Sequence, residues 1–278
     1  GKEFVTVGAQ GHVYYSADAL QWDSISCGID ADLDGITWND SLLVVSDFSQ
    51  GVIASSKDHK NWAVRATGRG RLVDIRWTGA EYVAIGADDR LEFSRDLMFW
   101  SPGSTPAATR LPSLVWTGSR ILSPNWRDSG ECFQWEATSG SSGSWKIVKT
   151  GGREGVVSLR VHGDRVFGVG NGNITESRDS GKTWRVLRDT RAGNFDDVVW
   201  DGNRFLAVLQ GIGMTGPGQR ILMESLDGLS WRDLNRQSIP SSVKSSIAAS
   251  PSAIVVTEAQ SNGISTSLRY HDSTGRLV

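Results

Sequence analysis

The stretch that decides the fold reads Ser177-Arg-Asp179-Ser-Gly181-Lys-Thr183-Trp184. Shortened and degraded copies of this pattern recur along the chain, and their third positions are residues 18, 58, 96, 141, 179, 227 and 272. The steps between copies are therefore 38 to 48 residues, close to the roughly 40–50 residues of one propeller blade. In six copies a tryptophan follows within a few residues: Trp22, Trp62, Trp100, Trp145, Trp184 and Trp231.

A second set of tryptophans marks the middle of the repeats. Each of them ends a short apolar run and is followed by a turn and another apolar run, which predicts two further strands per repeat. This set comprises Trp38, Trp77, Trp116 and Trp200. We therefore predict an all-β fold, a seven-bladed β-propeller of four-stranded antiparallel blades, as a single domain over residues 1–278. Ten of the 12 tryptophans are thereby assigned to repeated packing.

The repeat is incomplete at both ends of the sequence. Gly1 aligns with the turn glycines Gly79, Gly118 and Gly202, so we expect blade one to lack its inner strand. Blade seven stops at Val278, where its outer strand should begin. We therefore expect the natural chain to extend past at least one end.

The motif of residues 177–184 resembles the Asp-box, also called the bacterial neuraminidase repeat. The match is complete there, whereas the other copies are one residue shorter between Asp and Trp or lose the Asp. The resemblance implies a β-propeller that is secreted, periplasmic or on the cell surface, and a structural role for the motif. Turn chemistry agrees, because an Asp side chain accepts hydrogen bonds from backbone N–H groups two or three residues on.

Composition excludes several functions. The net charge is −2, from 29 basic and 31 acidic residues, which argues against nucleic-acid binding, and no apolar run is long enough for a transmembrane segment. Cys27 and Cys132 lie in distant repeats, so no disulfide is expected. The four histidines are scattered, which argues against a metal site. The glycines of residues 211–216 match a nucleotide-binding fingerprint in spacing, but a strand rather than a helix follows them, so the phosphate-binding geometry is missing. We expect no cofactor and a monomer.

The Asp-box resemblance also implies sialidases, other glycosidases and assembly factors as relatives. A sialidase needs an early Arg-Ile-Pro motif, which the sequence lacks, since Arg110-Leu-Pro112 comes too late. A glycoside hydrolase needs two carboxylates about 5–10 Å apart. The spacing of Asp and Glu residues along the chain does not show which of them would form such a pair. The sequence favours a non-enzymatic protein and keeps a glycoside hydrolase or sialidase-like enzyme as one alternative and an assembly-factor-like structural module as another.

The long, irregular segments all fall on one face, formed by the loops between second and third strands and by the links between blades. Function is often carried by such loops. Arginines recur in these links and would favour carboxylates or phosphates, whereas charged residues in such a pattern usually form a solvated surface. Trp126 and Trp135 lie outside the repeat register and either contact a ligand or fill space behind an enlarged loop. We predict a protein or an acidic saccharide as the ligand, bound by Arg71, Arg110, Trp126, Arg127, Trp135, Arg153 and Arg191.

Overall fold

The computed structural model describes residues 3–67, 70–86, 88, 90–103, 111–125, 131–139, 142–152, 155–189, 193–211, 219–238, 243–260 and 266–272. Apart from one 3-10 turn at Ala9–Gly11, the regular elements of these residues are β-strands. Contacts divide the chain into two compact units. Unit one holds residues 1–17, 21–123 and 133–147, and unit two holds residues 18–20, 124–132 and 148–278.

The first three sheets follow one another along the chain. Sheet 1 contains β1 (Phe4–Val7), β2 (His12–Ser16) and β3 (Asp23–Ser26). Sheet 2 contains β4 (Leu33–Trp38), β5 (Leu43–Asp47), β6 (Val52–Ser56) and β7 (Ala63–Ala66). Sheet 3 contains β8 (Leu72–Trp77), β9 (Tyr82–Gly86), β10 (Leu91–Ser94) and β11 (Ser101–Pro102).

Four more sheets repeat the same up-and-down order. Sheet 4 contains β12 (Val115–Trp116), β13 (Ile121–Pro124), β14 (Glu131–Ser139) and β15 (Ser142–Lys149). Sheet 5 contains β16 (Val156–His162), β17 (Arg165–Gly170), β18 (Asn173–Ser177) and β19 (Arg185–Asp189). Sheet 6 contains β20 (Gly193–Trp200), β21 (Phe205–Gly211), β22 (Gln219–Ser225) and β23 (Arg232–Ser238). Sheet 7 contains β24 (Val243–Ser250), β25 (Ala253–Gln260) and β26 (Thr266–Asp272).

The prediction of an all-β fold built from four-stranded antiparallel blades is confirmed. The prediction of seven such blades is wrong in number: within the described residues five sheets have four strands, and sheets 1 and 7 have three each. The treatment of residues 1–278 as one domain stays a prediction. None of the described segments is a helix with the length and apolar character that a membrane span requires.

In sheets 2, 3, 5 and 6 the Ser-x-Asp motif forms a tight turn between the third and fourth strands, as turn chemistry predicted. Asp58 accepts hydrogen bonds from the N–H groups of Lys60 (3.0 Å) and Asn61 (2.8 Å). The residue after the Asp is left-handed, with φ of 60° at His59 and 82° at Gly228. A left-handed backbone conformation favours glycine, because glycine has no Cβ atom to clash with the backbone. This preference explains why glycine occurs in the motif.

Two of the tryptophans that follow these turns, Trp62 and Trp231, have two roles, which explains why they are not phenylalanine. The indole N–H of Trp62, Trp184 and Trp231 donates to a carbonyl of the preceding turn, at 3.3, 2.9 and 2.8 Å. The rings also pack against apolar clusters between neighbouring sheets, as Trp231 does beside Phe205. The predicted packing role is therefore confirmed for the tryptophans that lie against these clusters, which are Trp62, Trp77, Trp100, Trp116, Trp145, Trp200 and Trp231.

One tryptophan departs from this pattern. Trp38 ends β4 as Trp77 ends β8, yet 46% of its surface is exposed. The expectation that Trp38 is packed like the other inner tryptophans is therefore wrong.

Candidate functional site

The structure describes only part of the predicted binding site. Arg71 is the one predicted site residue whose side chain is described, and Trp135 lies in β14 with only its backbone described. The remaining five lie outside the described residues, so the predicted cluster stays a prediction there: Arg110, Trp126, Arg127, Arg153 and Arg191.

Arg71 lies in the link between sheets 2 and 3, and its exposed guanidinium covers an aromatic ring. Its Cζ atom is 4.3 Å from the ring centroid of Phe48, which belongs to the turn between β5 and β6. The two residues come from neighbouring sheets of unit one. A cation over an aromatic face contributes about 0.5–1 kcal/mol at an exposed site, enough to favour one orientation of the arginine.

The turn that carries Phe48 is held by a buried carboxylate. Asp47 accepts hydrogen bonds from the Ser49 hydroxyl (2.8 Å) and from the N–H groups of Gln50 (2.6 Å) and Val52 (2.6 Å). On the other side, Asp34 accepts a hydrogen bond from the N–H of Phe48 at 3.2 Å. The aromatic ring is therefore carried by a turn that four hydrogen bonds tie to two carboxylates.

Two glycines bring this turn against the link that holds Arg71. Gly51 has φ of 69°, and a Cβ atom there would lie 1.6 Å from the carbonyl oxygen of Gly70. Sheet 1 repeats the arrangement, because a Cβ at Gly11 would lie 1.9 Å from the oxygen of Ile29. We call Asp34, Phe48, Gly51 and Arg71 the Phe48 patch.

Phe48 and these contacts are not among the features predicted from the sequence. A signal exists in the Gln-Gly pairs of residues 10–11 and 50–51, which precede the third strand of their repeats. A glycine recurring at one repeat position indicates either a left-handed backbone or a close approach of another chain segment, and here it marks both.

A second polar cluster ties together the inner strands of unit two. Asp197 lies at a β-bulge of β20 and is buried. It accepts hydrogen bonds from the Nε of Arg160 (2.7 Å), the hydroxyl of Ser246 (2.7 Å) and the N–H groups of Val198 (2.9 Å) and Ile247 (3.1 Å). One carboxylate thereby joins β16, β20 and β24.

Unit one has the same device at the corresponding bulge of β8. Asp74 accepts a hydrogen bond from the N–H of Leu114 at 2.7 Å and pairs with Arg76 at 2.9 Å. The guanidinium of Arg76 also donates to the carbonyl oxygens of Leu114 and Ile36, both at 2.9 Å. These buried carboxylates are fully engaged in joining sheets, which gives them a structural role.

Sheet 5 contains a buried carboxylate surrounded by arginines. Glu176 contacts Arg165 and Arg178 and accepts a hydrogen bond from Arg185 at 2.7 Å. Burial alone would raise the pKa of Glu176, but the hydrogen bonds and charges of Arg185 and Arg165 outweigh it and hold this pKa below its ordinary value. A glycosidase acid needs a raised pKa, so Glu176 is unsuited to that role.

The turn at Asp179 gives a pH prediction. Burial raises the pKa of Asp179, but the hydrogen bonds from Thr183 and Ser177 together outweigh burial and lower this pKa to about 2. Because the folded pKa lies below the unfolded value of about 4, the stabilisation is complete above about pH 4 and is lost as pH falls through about 2. We expect Asp179→Asn to lower the free energy of unfolding by about 1 kcal/mol at pH 7, after allowance for solvent screening. Urea denaturation from pH 7 to 2 should show the difference from wild type shrinking, and a constant difference would contradict the prediction.

Comparison with known proteins shows the fold of the chain but not its family. No protein-family model and no curated protein matches the chain. The WD40 β-propeller domain of Doa1 is 12% identical, with a TM-score of 0.62 over 97% of this chain and 89% of that one. The fold is a β-propeller.

Two further structures of similar fold have different descriptions. YCF48 bound to D1 peptide is 16% identical, with a TM-score of 0.66 over 96% of this chain and 87% of that one. A Bacteroides fragilis protein provisionally assigned as a 6-phosphogluconolactonase is 11% identical, with a TM-score of 0.68 over 100% of this chain and 93% of that one. At these identities the likeness is one of fold, and a fold of this kind supports unrelated functions.

Proposed function

We propose that this propeller binds a segment of another protein on its loop face, with the Phe48 patch as part of the contact surface. The observation that carries the proposal is the Phe48 ring under the Arg71 guanidinium, 4.3 Å away, on a turn fixed by Asp47. Aromatic residues and arginine are the side chains most enriched in the energetic centres of protein interfaces. A rigid turn reduces the ordering that binding requires.

The charges around Phe48 favour a polypeptide over a polyanion. Arg71 lies on one side of the ring and the carboxylate of Asp34 contacts the Phe48 backbone on the other. A uniformly acidic saccharide would meet this carboxylate as a like charge, whereas a protein segment can present both signs. The structure of YCF48 with D1 peptide supports the proposal, because a chain of similar fold is described there with a bound peptide.

The other sequence-based expectations are part of the proposal. The cluster of Arg110, Trp126, Arg127, Trp135 and Arg153 would extend the contact surface onto the following repeats. We further propose that the chain is an Asp-box protein that acts outside the cytoplasm, which rests on the resemblance of residues 177–184 to that repeat.

The test begins with a displayed library of random peptides, selected on the wild-type chain. Affinities of the selected peptides should fall at least about tenfold for Phe48→Ala and for Arg71→Ala, as expected for residues at the centre of an interface. Arg110→Ala with Trp126→Ala should weaken the same peptides. Met98→Ala is the matched control, because Met98 is exposed in a Ser-x-Asp turn.

Two results would contradict the proposal. One is unchanged affinity of the selected peptides for the Phe48→Ala and Arg71→Ala variants, with both variants folded by circular dichroism. The other is turnover of a glycan panel, which would support the glycoside hydrolase alternative instead.

A further inference from the structure

In sheet 5, three charged side chains from neighbouring strands meet at the end that carries the Ser-x-Asp turn. Glu176 of β18 pairs in register with Arg185 of β19, and Arg165 is the first residue of β17 at the same end. Both guanidiniums contact the buried Glu176 carboxylate, that of Arg185 at 2.6 Å. We call these three positions the triad, because other sheets have equivalent positions.

Sheet 6 repeats the triad with the same residue types. Glu224 pairs in register with Arg232 of β23, and its carboxylate contacts both Arg232 and Arg204. A groove of about 480 Å³ beside the Ser-x-Asp turn is lined by these three residues together with Leu226 and Trp231. The groove beside such a turn therefore accommodates guanidiniums next to a carboxylate.

Sheet 3 has different residues at the three positions of the triad. Phe93 takes the place of the glutamate, since each precedes the serine of its Ser-x-Asp motif. Ser101 pairs in register with Phe93 and takes the place of the arginine on the fourth strand. Glu81 comes immediately before β9, as Arg204 comes immediately before β21, so a carboxylate takes the place of the other arginine.

The groove of sheet 3 has a volume of about 320 Å³ and combines carboxylates with aromatic rings. The ring of Phe99 is 77% exposed, whereas that of Phe93 is buried. The residues that line the groove include Glu81, Phe93, Arg95, Asp96, Phe99 and Ser101.

Carboxylates outnumber cations in this groove. Asp96 accepts hydrogen bonds from the N–H groups of Phe99 (2.9 Å) and Met98 (2.8 Å), which hold its pKa below the ordinary value and keep it charged. Glu81 is the second carboxylate, and Arg95 is the cation. The Nε of Arg95 is 4.0 Å from Glu81, at the outer limit of an ion pair, and the Arg95 side chain is 82% exposed. The groove is therefore electrostatically complementary to a further cation.

Sheet 5 shows that Arg95 need not exclude a second guanidinium. Arg178 holds the position of Arg95, because each follows the serine of its motif. Arg178 lies 3.3 Å from Glu176, the same carboxylate that Arg165 and Arg185 contact. One carboxylate beside a Ser-x-Asp turn thus pairs with three guanidiniums.

We propose that the groove of sheet 3 binds an arginine side chain of another polypeptide, whose guanidinium pairs with Glu81 and stacks on the exposed ring of Phe99. A guanidinium suits this groove better than an ammonium, because it is planar, stacks on aromatic faces and donates two parallel hydrogen bonds to a carboxylate. The partner supplies the guanidinium that sheet 6 takes from its own fourth strand, where sheet 3 has Ser101.

This groove is separate from the Phe48 patch. Arg71 comes immediately before the first residue of β8, and Glu81 follows the turn after its last residue, so the two lie beside opposite ends of this strand. Variants in one surface therefore serve as controls for the other, and the two proposals can fail independently.

The probe is the capped peptide acetyl-Gly-Arg-Gly-amide, added to the ¹⁵N-labelled chain and followed by NMR. We expect saturable shifts of the amide signals of residues 94–101. A peptide with citrulline in place of arginine has a neutral side chain of nearly the same shape. It should bind at least about tenfold more weakly, the effect of losing a hydrogen bond between charged groups.

Three variants test the assigned contacts. Glu81→Gln and Phe99→Ala should each weaken binding of the arginine peptide, the first at least about tenfold. Ser101→Arg introduces the arginine that sheets 5 and 6 have at this position and should abolish binding, because the chain's own guanidinium then pairs with Glu81. Met98→Ala is the matched control, since Met98 is an exposed apolar residue of the same turn. A thermal melt establishes that each variant is folded.

Several outcomes would overturn the proposal: no saturable shifts with the folded wild-type chain, equal binding of the citrulline peptide, or equal binding by Glu81→Gln or Ser101→Arg. Shifts of the same amides by inorganic phosphate would instead assign the groove to an anion held by Arg95. Tighter binding of free L-arginine than of the capped peptide would make the amino acid, and not a polypeptide, the ligand. If the groove fails these tests while the peptides selected from the library still depend on Phe48, the function proposed for the Phe48 patch stands.

Discussion

We expect Asp197→Ala to lower the free energy of unfolding by about 3–5 kcal/mol, the range for removing one partner of a buried ion pair. The carboxylate accepts hydrogen bonds from two side chains and two backbone N–H groups of three strands. Its loss leaves the N–H of Ile247 buried without that acceptor and removes the charge opposite Arg160. Urea denaturation monitored by tryptophan fluorescence gives the difference.

Asp164→Ala is the matched control for this prediction. Asp164 is an exposed residue of the turn between β16 and β17 in the same unit, and we expect a change within about 0.5 kcal/mol. Asp197→Asn should recover part of the loss because an amide oxygen still accepts hydrogen bonds. A loss below about 1 kcal/mol for Asp197→Ala, the contribution of one ordinary hydrogen bond, would show that the cluster does not join the strands.

Gly51→Ala is expected to have the second large effect. A left-handed alanine costs about 1–2 kcal/mol, and displacing the backbone oxygen of Gly70, which would lie 1.6 Å from the new Cβ, adds about 1–3 kcal/mol. The turn that carries Phe48 must also move away from Arg71. We therefore expect lower stability in urea denaturation and weaker binding of the peptides selected for the Phe48 patch.

Gly79→Ala separates the two causes. Gly79 also has a left-handed backbone, with φ of 86°, but no atom lies within 4 Å of the position of a new Cβ. This variant should show only the conformational cost of about 1–2 kcal/mol and unchanged peptide affinity. Equal losses for Gly51→Ala and Gly79→Ala would mean that the contact with Gly70 contributes nothing.

The strand pattern could be predicted because it is local. A motif such as Ser177-x-Asp179 fixes its own turn through hydrogen bonds that span a few residues, so each copy indicates the same structure wherever it occurs. The two strands predicted on either side of the turn after Trp77 are accordingly present as β8 (Leu72–Trp77) and β9 (Tyr82–Gly86).

The candidate site could not be predicted in the same way, because it depends on contacts between repeats. Phe48 is inconspicuous in sequence, and its position under Arg71 follows from a close approach of two glycines 19 positions apart in number, Gly51 and Gly70. Trp38 is the opposite case, because it is conspicuous in the sequence. Its repeat position predicts packing, but its exposure depends on the neighbouring sheet, which the residues around Trp38 do not encode.

The guanidinium of Arg76 has a consequence for the motions of unit one. It donates to Ile36 of sheet 2 and to the residue that precedes β12 of sheet 4, while its own strand belongs to sheet 3. Unfolding any one of these three sheets would break hydrogen bonds to the other two. Their amide protons should therefore exchange with solvent through one cooperative opening of all three sheets, and not separately in each sheet. We therefore expect the three repeats that Arg76 joins to open together.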